Sequence, residues 1–224
     1  MTLAAPTAGA EELVDRIGSR PVRASELALH GAVWDVRRET VDLGEAGEVV
    51  REYVDHPGAV AVLALRQDRG SDEILLIQQY RHPVRVHEWE LPAGLLDVDG
   101  EAPWVAAARE LAEEADLRAG RWDLLADYVA SPGGMNEALR IYLARDLSDV
   151  PEGERHDREH EEAGMPVRWA RLEDAVDAVL AGRIRNATVV IGVLSALVAR
   201  DRGWTTLRPV DEPWPAHPRL GHAR

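Results

Sequence analysis

The segment from Gly94 to Leu117, GLLDVDGEAPWVAAARELAEEADL, constrains this chain more than any other stretch. A glycine opens it, Pro103 stands where a first helical turn begins, and an Ala-rich run follows, which predicts a helix over 103–115. At roughly 100° per residue, Trp104, Ala108, Leu111, Ala112 and Ala115 gather on one face of that helix. Glu110, Glu113 and Glu114 gather on the other. Three carboxylates at i, i+3 and i+4 repel one another. Solvent tolerates such a face. A hard divalent cation would instead cancel the repulsion, since Mg²⁺ takes a few carboxylates and keeps places for substrate phosphates.

Composition excludes several chemistries. The chain has no Cys, so disulfides, thiolate metal sites and a Cys nucleophile are ruled out. All 26 basic residues are Arg, which removes a Walker-type phosphate loop and Schiff-base catalysis. A net charge of −14 argues against general nucleic-acid binding. An anionic substrate remains compatible with it where metal ions and local Arg residues reverse the field. The longest apolar run, roughly 187–199, is too short to span a bilayer and reads as a buried helix. The Ala-rich N-terminus carries Glu11 and Glu12 and lacks a secretory pattern, so a cytoplasmic protein without a membrane partner is expected.

At 224 residues the chain suits one large domain or two small ones. After a loose first 20 residues or so, Val22–Leu29, Val33–Leu43 and Val49–Asp55 read as an antiparallel sheet punctuated by Gly31, Gly44 and Gly47. Ala59–Leu65 and Ile74–Gln78 are near-continuous apolar runs, as central strands covered on both faces require. Leu91–Gly94 reads as a turn into the acidic segment. Leu124–Ala130, Leu139–Ala144 and Val167–Leu172 read as strands, 148–164 as a polar loop, and Leu172–Leu180 and Thr188–Ala199 as helices. Four Pro residues after Thr205 predict an irregular tail. Strands interleaved with helices give an α/β class.

The acidic segment resembles the Nudix box: Gly, five residues, Glu, seven residues, then Arg-Glu-apolar-any-Glu-Glu-any-Gly-apolar. Here six residues separate Gly94 from Glu101, one more than the pattern. Glu101, Arg109, Glu110, Glu113, Glu114 and Leu117 fit it, and Asp116 replaces the Gly that ends the helix. Outside the box, Ser131-Pro132-Gly133-Gly134, Ile77–Arg81, Trp89–Gly94, and Arg51-Glu52-Tyr53 with His56–Val60 resemble the ADP-ribose pyrophosphatase subgroup. The resemblance implies a Nudix α/β/α sandwich with a mixed sheet, preceded by a small antiparallel β domain. The expected boundaries are 1–56 for the N-terminal domain, 57–204 for the Nudix domain and 205–224 for the tail. It also implies a homodimer with swapped N-terminal domains.

Residue by residue, the resemblance implies the following site. Glu110 and Glu114 bridge two or three Mg²⁺ or Mn²⁺ ions, Glu113 assists, and the Ala93 carbonyl is a further ligand. Arg109 orients the glutamates. Arg81 grips the diphosphate with its planar fork. Glu137 contacts substrate, and Arg51 reaches the substrate of the partner protomer. Trp34 either stacks on adenine or packs in a core. The general base falls in the loop after 148, at Glu162 with Glu161 in reserve; such charge runs are otherwise solvated loops. His156-Asp157-Arg158-Glu159-His160 in that loop matches H-x-x-E-H, but its loop-like surroundings do not suit a zinc peptidase helix. The implied reaction is hydrolysis of ADP-ribose to AMP and ribose 5-phosphate. Alternatives are another nucleoside diphosphate sugar or dinucleotide as substrate, or a regulator that binds ADP-ribose without cleaving it.

Overall fold

The computed structural model describes residues 2–158 and 164–222. Strands β1 (Val22–Leu29), β2 (Asp35–Asp42) and β3 (Glu48–Asp55) form an antiparallel sheet in that spatial order. Arg38 in the central strand pairs with Glu26 on one side and Glu52 on the other, lacing all three strands. β1 is exposed along its whole length.

His56, Pro57 and Gly58 carry the chain into the second sheet. It contains β4 (Ala59–Asp68), β5 (Ser71–Arg81), β6 (Val86–Glu90), β7 (Ala93–Leu95), β8 (Leu117–Val129), β9 (Ala138–Asp149) and β10 (Val167–Arg171). The main path runs β10-β5-β4-β9-β8, with β6 on β5 and β7 on β4. β4 and β9 are parallel and the other pairs antiparallel, so the sheet is mixed. Helix α1 (Pro103–Ala115) covers one face; α2 (Leu172–Leu180) and α3 (Ala187–Asp201) cover the other. Strand β4 shows why its sequence is apolar throughout. Val60, Val62 and Ala64 pack towards Ala106, Ala107 and Leu111 of α1. Ala61, Leu63 and Leu65 pack towards Leu172, Val189 and Val193 of α2 and α3. This is the α/β/α sandwich expected, behind a small antiparallel sheet.

Three expectations need correction. Leu91–Gly94 is not simply a turn: Ala93–Leu95 is a short strand paired with Ala59–Ala61. The reason lies in β4, which meets β5 only over Leu65–Asp68 and so leaves its first half open for another strand. β6 fills the matching gap at the end of β5, and its mixed sequence VHEWE carried no clear strand signal. The faces of α1 also differ from the simple wheel. Ala106, Ala107, Leu111 and Glu114 are the buried residues, whereas Trp104 is exposed. The helix approaches β4 through small Ala side chains, and Glu114 faces inward because it has a backbone partner there.

The tail is irregular as expected, with an isolated bridge between Leu124 and Arg208, yet it is anchored. Buried Arg140 donates to Asp127 and to the Glu212 carbonyl, and its guanidinium lies 4.4 Å from the Trp214 ring centroid. His217 is buried as well, its Nδ1 accepting the N–H groups of Arg219 and Leu220. Burial, then Arg219 and Arg140, push the His217 imidazole down to about 4. The unfolded chain binds this proton from about pH 6.5 downward. Stability from the neutral ring is therefore complete above about pH 6.5 and lost as pH falls towards 4, by about 2–3 kcal/mol between pH 7 and pH 4.5. Urea unfolding at those two pH values should show that drop, and a smaller one in His217→Gln. Equal drops would contradict the assignment.

Candidate active site

The site lies where β4 and β5 part and β7 meets α1. The Ala93 N–H donates to Oε2 of Glu114 at 2.8 Å, which compensates the burial of that carboxylate. One turn earlier, Glu110 lies against Gly94. A Cβ on Gly94 would fall 2.0 Å from Glu110 Oε1. Glycine is required here for close approach, not for an unusual φ. The pairing of β7 with β4 and the packing of α1 thus bring Ala93, Gly94, Glu110 and Glu114 to one point.

Arg109 organises the acids around them. Its Nη1 donates to Glu110 at 2.6 Å and to Glu113 at 3.2 Å, while Nε and Nη2 grip both oxygens of Glu101. Glu101, then its other acidic neighbours, raise the Arg109 pKa above its ordinary value against the effect of burial. Arg109 therefore ties Glu110 and Glu113 to Glu101. The helix then ends at Asp116 in the left-handed region, φ 54° and ψ 33°, at the position where Gly is usual.

Arg81, at the end of β5, directs Nε and Nη2 to the two oxygens of Glu90 at 2.8 and 2.7 Å. Glu90 is buried, and sequence reasoning gave it no role. An acid between Trp89 and Leu91, on the approach to the box, was the available signal. Tyr128 lies within the field of both Glu90 and Glu137. Its hydroxyl lies 2.5 Å from Thr188 Oγ1, and burial, with the charges of Glu137 and Glu90, raises its pKa. Burial likewise raises the Glu137 carboxyl, whose Oε1 stands 3.4 Å from Nε2 of buried His56. His56 belongs to the segment that resembles the inter-domain strand but carries no expected site role, because nothing local marks a histidine for burial.

The remaining expected residues are spread wider. Arg51 is exposed on β3, beside Pro132, Gly133 and Met135, away from the box helix. Trp34 stacks on His56 with ring centroids 4.7 Å apart and remains partly exposed. It borders a cavity of about 750 Å³ shared with Trp104 and Trp214. Glu161 and Glu162 lie outside the described residues. The preceding Arg158 is fixed, donating to the Glu113 carbonyl at 2.9 Å and to Asp116 at 2.5 Å.

The donors suit a hard cation. Glu110 and Glu114 offer carboxylate oxygens beside a backbone too close to admit even a methyl group. Among the described residues no three His, Asp or Glu side chains close into a metal cage, so a backbone carbonyl and water would complete a coordination shell.

A model of the NUDIX domain matches residues 55–190, which contain every element just described from His56 to α3's first turn. The chain belongs to the NUDIX family. It is 43% identical over 201 residues to an ADP-ribose pyrophosphatase of Mycobacterium tuberculosis, covering 90% of this chain and 94% of the relative. It is 35% identical over 170 residues to an ADP-ribose pyrophosphatase of Bacillus subtilis, covering 76% and 88%. A crystal structure described as an ADP compounds hydrolase superposes with a TM-score of 0.68 at 19% identity, over 85% of this chain and 99% of the other, and shows the same fold. As a Nudix pyrophosphohydrolase the protein belongs to a class that generally depends on divalent metal.

Gly94→Ala should leave the fold intact but force Glu110 away from its seat. A displacement of about 1 Å is enough to lower turnover by ~10². Circular dichroism and initial rates would measure the two effects; full activity would show that the close approach is dispensable.

Proposed function

We propose that this protein hydrolyses the pyrophosphate bond of ADP-ribose, giving AMP and ribose 5-phosphate. The observation that carries the reading is the convergence of Glu110 and Glu114 on Ala93–Gly94, in a chain so similar to two ADP-ribose pyrophosphatases. Two or three Mg²⁺ or Mn²⁺ ions, held by Glu110, Glu114, the Ala93 carbonyl and Glu162 with Glu113 assisting, would neutralise the diphosphate and acidify the attacking water.

The chain's own groups do the rest. Arg81 binds the diphosphate and is braced for it by Glu90, which fixes the plane of its guanidinium. Arg109 keeps Glu110 and Glu113 oriented. Glu137 contacts the substrate, and its partial burial strengthens that polar contact. Glu162 accepts the proton of the water that attacks the adenosyl-side phosphorus, with Glu161 as the reserve. The anchoring of Arg158 at the end of α1 supports this placement, because it ties the start of the loop within one turn of Glu113 and Glu114.

The assembly we propose is a homodimer with swapped N-terminal domains, divided as 1–56, 57–204 and 205–224, in which Arg51 reaches the partner's substrate. The exposed edge β1 supports it: Val22, Leu27 and Leu29 are apolar and uncovered. We place the protein in the cytoplasm. No helix among the described residues is long and apolar enough to cross a membrane.

Rates on a panel of ADP-ribose, other nucleoside diphosphate sugars and dinucleotides test the substrate; ADP-ribose should have the highest kcat/KM. Glu114→Gln should lower turnover by ~10² or more with the fold intact. Glu162→Gln should lower kcat by ~10²–10⁴ with KM nearly unchanged, and Glu161→Gln should cost much less. Reversed losses would make Glu161 the base, and normal turnover in Glu114→Gln would remove the metal assignment. Light scattering of an active monomer would refute the dimer.

A further inference from the structure

His56 sits outside the box, in the connector between the two sheets, and its surroundings fix the ring completely. It is 3% exposed. The Gly58 N–H donates to Nδ1 at 3.0 Å. A backbone N–H can only donate, so Nδ1 must be the unprotonated nitrogen and the neutral ring carries its hydrogen on Nε2. The nearest carboxylate is that of Glu137, with Nε2 and Oε1 3.4 Å apart. This is an ion-pair distance and not a formed hydrogen bond; contacts of this kind commonly close once substrate is bound.

Two further segments hold the residue, one by its backbone and one by its ring. Asn136, next to Glu137, accepts the backbone N–H of His56 at 2.6 Å and donates to Asp55 at 2.9 Å. It also donates its backbone N–H to the Val54 carbonyl, while Val54 N–H reaches the Gly134 carbonyl. The loop that carries Glu137 is thus buttoned to the connector. From the other side Trp34, in the β1–β2 loop, covers the ring at 4.7 Å with the two planes 29° apart. Burying a histidine so thoroughly against one carboxylate, with its tautomer set by a glycine, is more than packing requires.

We propose that His56 is a positioning residue for Glu137, and that Trp34 seats His56. The β1–β2 loop then acts on the active site of its own chain, while Arg51 on β3 serves the partner's: Trp34 fixes the imidazole, Nε2–H closes on the carboxylate, and the carboxylate meets the substrate. This gives Trp34 a role as the support of His56 in place of a platform for adenine. The proposal rests on the reading of Glu137 as a substrate contact.

Two measurements test it together. Ring ¹⁵N NMR at pH 7 reads the contact without any reaction. Nδ1 should show the shift of an unprotonated nitrogen and Nε2 that of a protonated one, and Glu137→Gln should move the Nε2 signal. A ring protonated on Nδ1, or an Nε2 signal indifferent to Glu137→Gln, overturns the proposal. A double-mutant cycle with ADP-ribose reads the consequence. His56→Gln should raise KM about tenfold, the worth of one hydrogen bond to a charged group, with kcat within about threefold. The same change in the Glu137→Gln background should add little. Trp34→Ala should raise KM in the same direction and Trp34→Phe, which keeps a stacking ring, should restore it. Additive effects of His56→Gln and Glu137→Gln, or equal losses in Trp34→Phe and Trp34→Ala, overturn the relay. If Glu137→Gln leaves KM unchanged while the NMR contact is present, the reading of Glu137 as a substrate contact fails, and the positioning role fails with it.

Discussion

The active site depends on one close approach, that of the Glu110 side chain to the backbone of Gly94. It is possible because residue 94 has no Cβ and because α1 meets β4 through Ala106 and Ala107, which let the helix lie low on the sheet. Once the helix is there, Glu114 is driven into the interior. An unpaired buried carboxylate would be strongly unfavourable, and the Ala93 N–H offsets that cost. The short strand β7 supplies both contacts, and it exists because β4 leaves its first half open on that edge. Sheet topology, helix packing and the carboxylate seat are thus one structural fact seen at three scales. Arg109 and Glu101 complete it by holding the acids that would otherwise spread apart.

A second convergence lies at Asp55–Gly58. Asp55 receives Arg37 from the N-terminal sheet, Asn136 from the loop before β9 and Arg219 from the tail. Gly58, at φ 92°, passes so close to His217 that a Cβ would meet its Nε2 at 2.2 Å. Three segments remote in sequence therefore lock a four-residue connector, and the residue they enclose is His56. The connector is short, so any rotation of one sheet against the other must pass through this lock. Its polar groups are satisfied largely by side chains, which makes it sensitive to single substitutions.

The parts legible in the sequence were those with local causes. The bounds of α1 follow from Pro103 and from Asp116, whose left-handed backbone ends the helix. The central strands follow from unbroken apolar runs buried on both sides. The box carboxylates share a face by spacing, and their roles and that of Arg109 follow from the resemblance to the Nudix box; the structure brings Ala93, Glu110, Glu113, Glu114 and Arg109 together. What could not be read had distant causes. β6 and β7 are strands because other strands leave edges open. A helical wheel mistook the buried face of α1, since Ala gives little directional signal and Glu114 is acceptable inside only because residue 93 donates to it. Glu90 and His56 are buried by partners in other segments. Trp34 had two readings in sequence, adenine platform or core, and the structure gives it a third neighbour, the His56 ring.

The central claim is that Glu110 and Glu114, seated on Ala93–Gly94, form a site for hard divalent cations. Mn²⁺ binding followed by electron paramagnetic resonance tests it without recourse to turnover. Titration of the wild-type protein and of Glu110→Gln and Glu114→Gln, each shown to be folded, would compare the number and affinity of bound ions. The account predicts that each substitution removes at least one ion or weakens its binding by ~10-fold or more. Unchanged stoichiometry and affinity in both variants would contradict it.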